Sequence, residues 1–292
     1  MPQGRWPAHV GLSLLCGLTF ILAHDIVSGF GWAPAAALGS VAVAVALAVV
    51  ARLSGRRLSM PTHAGRLVIL GAAVTVQNLG VCLALDRLGL ALTAIGLGAI
   101  PLFATLIGQV WGMDRITGVA AAGLAVGFVG LLLVVVFPSE GDSWAFISGM
   151  LACLLAALAA AFAARYAAVR FPGRPEAPIS AHLMAALVAL PLALTFGRMG
   201  SGSAWNYVAL ILFTVLVALG GPVLDVRLPA EGQATRSNRV KTAGVVVAAL
   251  AGVLLYGDRL SVGEAFGALL LVAGAALVLD LLPRGASARW RP

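Results

Sequence analysis

A histidine and an aspartate stand side by side, His24-Asp25, toward the end of an apolar run that begins near Val10. Ionisable groups inside a membrane-length apolar stretch are costly and mark function by default. An imidazole beside a carboxylate can carry a coupling proton near neutral pH. The competing reading ends the helix here and leaves both side chains in water. Thr75, Gln77 and Asn78 fall in the middle of a later run. Amide side chains in hydrocarbon demand partners. They serve either as glue between helices or as hydrogen-bonding groups for a solute, with Gln77 and Asn78 the candidates for the second role. Thr93 and Ser237 lie 144 residues apart, each near the start of a run. Each hydroxyl either caps its helix or touches substrate. Pro101 removes a backbone donor and frees a carbonyl inside a helical run. The break exposes polar backbone to a cavity or is a simple packing kink. Arg236, Asn238, Arg239 and Lys241 open another run. They form a basic cytoplasmic rim, or Arg236 or Arg239 attracts an anionic solute at a cavity mouth.

These residues need a scaffold, and the composition says which kind. Of 292 residues 61% are hydrophobic and 10% charged, against roughly 25% charged in soluble domains. Crossing a bilayer core takes about 20 apolar residues in a helix, and runs of that length recur from end to end. The pattern predicts an all-α membrane protein of ten transmembrane helices: His9–Ser28, Ala33–Ala51, Leu67–Leu85, Leu90–Trp111, Ile116–Phe137, Ala145–Tyr166, Ile179–Phe196, Tyr207–Leu228, Ala234–Tyr256 and Val262–Leu282. Arg5, the first run and Ala33-Pro34-Ala35 have some features of a cleaved signal peptide, but the run is long for one and reads as the first spanning helix. The net charge of +8 reflects cytoplasmic loops rather than a nucleic-acid partner. Cys16, Cys82 and Cys153 all lie within apolar runs and imply no disulfide framework. No metal or cofactor is expected.

The stretch from Thr105 to Leu133 returns 144 residues later as Ala249 to Leu277, with Asp114/Asp258, Arg115/Arg259, Gly123/Gly267 and Gly130/Gly274 among the identities. A long internal repeat makes the chain two copies of one unit, residues 1–138 and 139–292. Five helices per copy is an odd number, so the second copy enters the bilayer from the opposite side and the repeats are inverted. With the amino terminus in the cytoplasm, sixteen of the nineteen Lys and Arg residues fall inside, and only Arg87, Arg198 and Arg259 outside. That skew obeys the positive-inside rule and places both termini in the cytoplasm. The paired glycines predict close helix packing within the chain, with a homodimer seam through Gly123-x-x-x-Gly127 as the alternative. Asp114-Arg115 and Asp258-Arg259 are expected to cap helices or form turns, with gating salt bridges as the other reading.

The motif Pro101-Leu102-Phe103, Gly108, Gly112-Met113-Asp114-Arg115, Gly123, Gly130, and its second copy Gly252, Gly257-Asp258-Arg259, Gly267, Gly274, resembles the EamA-type repeat of the drug/metabolite transporter superfamily. The resemblance spans nearly the whole chain. It implies a ten-helix secondary transporter, often an exporter of amino acids or related small metabolites, with a cavity lined mainly by the first, third, fourth, sixth, eighth and ninth helices. The chain departs from the pattern at Cys16-Gly17, where the family has Trp-Gly, and at Val245, where the repeat partner of Pro101 would carry proline. Alternating access in the cytoplasmic membrane, acting on a small-molecule substrate, is the resulting expectation. A channel or scaffold is one rival. An intramembrane enzyme is another, and it lacks His-Glu-x-x-His, Gly-x-Ser-x-Gly or clustered carboxylates.

Overall fold

The computed structural model describes residues 6–55, 64–113, 116–138, 143–196, 202–227 and 233–279. Side chains at 6–9, 143, 221–227, 233–239 and 241 lie outside that description. The described residues form ten helices and no strands: α1 (Trp6–Phe30), α2 (Trp32–Leu53), α3 (Ala64–Leu97), α4 (Ile100–Val110), α5 (Gly118–Val136), α6 (Ser143–Arg170), α7 (Glu176–Phe196), α8 (Ala204–Arg227), α9 (Gln233–Leu255) and α10 (Val262–Val278). Six of them, α1, α2, α3, α5, α6 and α7, are long and apolar enough to cross a membrane. Their outward faces stay apolar, as at Leu187 (72% exposed) and Leu194 (70%) on α7. Apolar surface of that extent on several helices suits lipid rather than water.

The expected third and fourth helices are arranged differently from the sequence reading. α3 runs on from Ala64 to Leu97, bent at Gly89, where φ is 75° and ψ −175°. Only glycine adopts that conformation without strain. The expected fourth helix is broken at Gly98-Ala99, where the Gly98 amide donates to both Ala94 O (3.0 Å) and Ile95 O (2.9 Å) before α4 begins. Pro101 therefore lies in the first turn of α4 rather than inside a continuous helix. Its missing N–H costs nothing there, because amides of a first turn have no helical partner. α1 continues to Phe30, past His24 and Asp25, and stops at Gly31 with φ 81°.

α5 and α10 begin with side-chain caps: Thr117 Oγ1 accepts from Ala120 N (3.2 Å) and Ser261 Oγ from Glu264 N (3.0 Å). Glu264, fully buried, returns the favour by accepting from Ser261 N at 2.6 Å. This is a capping box that uses an otherwise costly carboxylate. The Ser261 hydroxyl also donates to Phe137 O (2.6 Å), tying the end of α5 to the start of α10.

Small residues set the packing. α5 and α10 run antiparallel with Gly123 against Gly274 and Gly130 against Gly267. A Cβ on Gly130 would stand 2.5 Å from Gly267 O and from Leu271 N. Gly127 meets Leu102, so the Gly123-x-x-x-Gly127 face is covered from within the chain. Ala36 and Ala37 of α2 pack against Ala189 and Ala193 of α7. Gly17 and Gly244 let α1 and α9 approach, and Gly80 admits the α6 backbone at Ala152. Such contacts let dispersion replace the hydrophobic effect that lipid does not provide.

The seam makes a sharp prediction. Gly130→Ala forces overlap with backbone atoms, and overpacking typically costs about 1–3 kcal/mol. Gly11, with no atoms within 4 Å of an added Cβ, should accept alanine with no loss. Melting temperatures of the purified variants in detergent should fall for the first and hold for the second.

Candidate functional site

One polar cluster gathers at the end of the bundle where α1 finishes, α8 begins and α9 finishes. The Asp25 carboxylate accepts from Trp205 Nε1 at 2.9 Å and from the Tyr256 hydroxyl at 2.6 Å. Its backbone carbonyl accepts from Asn206 Nδ2 at 2.6 Å. Asn206 in turn receives Ser203 N and Ser203 Oγ, both at 2.7 Å. It seats directly on Gly29, where a Cβ would collide with its amide. The imidazole of His24 meets Tyr256 edge-to-face, ring centroids 4.5 Å apart. Its Nδ1 is buried with no hydrogen-bond partner among the described residues. Asp25 is thus a clamp on α8 and on the chain after α9.

Beside it, Asp258 acts across the molecule. Its carboxylate accepts from Ala91 N at 2.7 Å, just after the Gly89 bend, where helical amides have lost their partners. Capping, expected within its own turn, is delivered instead to a helix 167 positions away. A side chain on Gly89 would press on the Asp258 carboxylate, with a Cβ 2.9 Å from Oδ1. Glycine therefore both makes the bend and leaves room for the cap. Asp114 and Arg115, the repeat partners, lie outside the described residues.

A second cluster lies mid-helix, between α2, α3 and α7. Asn78 Nδ2 donates to Ser40 Oγ at 3.0 Å and faces His182 Nδ1 at 3.4 Å. Ser40 is buried, while Asn78 and His182 are half-buried. Gln77, its neighbour in sequence, is half-buried and makes no hydrogen bond among the described residues. Thr75 turns its hydroxyl back to Gly71 O at 2.7 Å, a local bond available within any helix.

Thr93 and Pro101 occupy a third place. Thr93 is fully buried, and its hydroxyl has no partner among the described residues. It does not cap its helix, because Asp258 has that role. Its carbonyl accepts from Cys153 Sγ at 3.4 Å. Pro101 is buried, and its carbonyl accepts from Thr105 Oγ1 at 2.9 Å. Arg236 and Asn238 fall on the first turns of α9, with side chains outside the described residues, as is that of Ser237.

The structure therefore joins His24 with Asp25, gives Asn78 new partners, and sets Thr93 and Pro101 apart. Sequence reasoning missed Ser40, His182, Trp205, Asn206 and Tyr256. His182 carried a signal, as an ionisable group within an apolar run. Ser261-x-x-Glu264 also announced its capping box. Nothing in the sequence paired Asp25 with α8 and α9, because those contacts span 180 and 231 positions.

At the opposite end, Trp111 of the α4 terminus meets Phe162 at 5.5 Å and Tyr166 at 6.4 Å, and Phe162 stacks on Tyr166 at 5.4 Å. The first end combines hydrogen bonds with ring contacts such as Phe30–Tyr207 at 5.0 Å, and this one is marked by an aromatic cluster.

No family model and no curated protein matches this chain. Among solved structures, one described only as a crystal structure of protein aligns over 92% of this chain and 96% of its own, with TM-score 0.60 and 18% identity. The likeness establishes a shared fold.

Proposed function

We propose that the chain is a secondary transporter of the EamA type, carrying a small metabolite such as an amino acid or related solute across the cytoplasmic membrane by alternating access, with export the favoured direction. It crosses the bilayer ten times as two inverted five-helix repeats, residues 1–138 and 139–292, with both termini cytoplasmic. Residues 90–110 form the fourth crossing despite the break at Gly98-Ala99, since 21 residues at 1.5 Å each reach about 30 Å.

The observation that carries this reading is the seam between α5 and α10. These helices are repeat partners, Gly118 opening one and Val262 the other at the 144-residue offset, with their caps Thr117 and Ser261 in the same register. They run antiparallel, and the contacts are crossed: Gly123 meets Gly274, the repeat partner of Gly130, and Gly130 meets Gly267, the repeat partner of Gly123. Repeat partners packed in this reciprocal way suit halves related by a rotation that turns one over. The offset also relates the starts of α2 and α7, Trp32 and Glu176.

Alternating access needs an end that opens. The Asp25 clamp and the Asp258 cap bridge helices from both halves at one end, as a releasable polar latch does. The reading makes this the outer gate, with the aromatic cluster around Trp111 toward the cytoplasm. His24, inside the latch with an unpaired nitrogen, is where a coupling proton would act.

Liposome counterflow tests transport: a carrier exchanges labelled solute faster when unlabelled solute waits on the far side, and absence of that stimulation for every metabolite in a broad amino-acid panel overturns the reading. Tyr256→Phe removes one bond to a charged acceptor, about 1.5–3 kcal/mol. Roughly tenfold or greater faster maleimide labelling is expected at the buried position Val27→Cys in a cysteine-free background. His24→Ala should abolish uptake driven by a pH gradient while sparing counterflow; unchanged gradient-driven uptake removes the proton route.

A further inference from the structure

The cluster of Ser40, Asn78 and His182 has more hydrogen-bonding capacity than it uses. The Asn78 amide nitrogen has two hydrogens and faces two acceptors, Ser40 Oγ and His182 Nδ1. Serving both leaves His182 as the tautomer with its proton on Nε2. Three functions then stay unspent among the described residues: the Asn78 carbonyl oxygen as acceptor, and the Ser40 hydroxyl and His182 Nε2–H as donors. Neither the Asn78 carbonyl oxygen nor His182 Nε2 is a sealed, orphaned atom of the core, while Ser40 is buried. In hydrocarbon, each unmet polar group costs free energy on the order of a lost hydrogen bond or more. Helix glue alone would not call for this surplus.

The surroundings define what fits. α2 has no charged residue between Trp32 and Arg52, α3 none between Arg66 and Asp86, and α7 none after Glu176. A carboxylate or ammonium group brought here would find no counter-charge on these helices and would lose its hydration. An uncharged group bearing both a donor and an acceptor finds all three unspent partners.

We propose that Ser40, Asn78 and His182 form a binding site for an uncharged polar solute moiety, such as a carboxamide, imide or nucleobase edge. The Asn78 carbonyl accepts from the solute, and the Ser40 hydroxyl and His182 Nε2–H donate to it. This rests on the transport reading for its purpose, but it is tested by binding alone. A solute with a charged end, such as an amino acid, must then leave that end outside this cluster.

The test uses full-length protein in nanodiscs and matched solutes differing in charge: nicotinamide against nicotinate, and uracil against orotate. The neutral member of at least one pair should raise the melting temperature by a few degrees at millimolar concentration, and its anion should not. Ser40→Ala and His182→Gln should each abolish most of that shift. Thr214→Val, which removes a hydroxyl bonded only to its own helix at Leu210 O, should keep it. If one variant fails to fold, the other decides. No shift with any neutral solute overturns the proposal, as does an equal shift with the anions or a shift that survives both site variants. Failure here with intact counterflow rejects this site and leaves the transporter standing. A shift with no counterflow does the reverse.

Discussion

Hydrocarbon gives a backbone amide nothing to bond with, and the rest of this structure follows from that constraint. Helices answer it along most of their length. Wherever the chain departs from a helix, a specific group has to step in. At Gly98 the amide is shared between two carbonyls. At the head of α10, Ser261 and Glu264 satisfy each other's amides. At Gly89 the partner comes from the far end of the sequence, through Asp258 and Ala91. Asp258, which the sequence offered as a cap or a gate, serves this need.

The same constraint governs packing. Lipid does not push apolar helices together, so association depends on how closely backbones can approach. The glycines of α5 and α10 and the alanines of α2 and α7 remove the side chains that would keep them apart. Larger apolar residues are displaced outward, to positions such as Leu187 and Leu194. Among the described residues, two groups of polar side chains bond to one another rather than cap a helix end: the Asp25 cluster at one end and the Asn78 cluster mid-helix. Their positions, one at a bundle end and the other halfway along, suit a gate and a recognition site respectively.

Much of the architecture was legible from the sequence because periodicity and composition are local properties. Outside the third and fourth, the apolar runs gave the helices to within a few residues, and the glycines at seven-residue spacing marked close packing within the chain, though not that α5 would meet α10. The misjudged places have physical causes. Pro101 looked like a mid-helix kink because nothing local distinguishes a kink from a restart; the break two residues earlier depends on Gly98 and Ala99. His24 and Asp25 left a proton site and a helix end both open, because polarity alone does not separate the two; the partners of Asp25, which are Trp205, Asn206 and Tyr256, are not revealed by proximity in sequence. Asn78 and Gln77 were read alike, as helix glue or solute partners; Asn78 reaches Ser40 and His182, and Gln77 beside it points elsewhere, since adjacent helical residues face about 100° apart. Ser40 gave no signal, because a serine in an apolar helix commonly bonds to its own backbone.

The Asp258–Ala91 bond also bears on how such a chain is made. Residues emerge from the ribosome in order, and the amide of Ala91 enters the bilayer long before its acceptor exists. Until Asp258 is synthesised, the first five helices have an open valence at the Gly89 bend, to be covered by water, lipid headgroups or the insertion machinery. The Ala91 amide therefore gains its native acceptor only once the later half has been made.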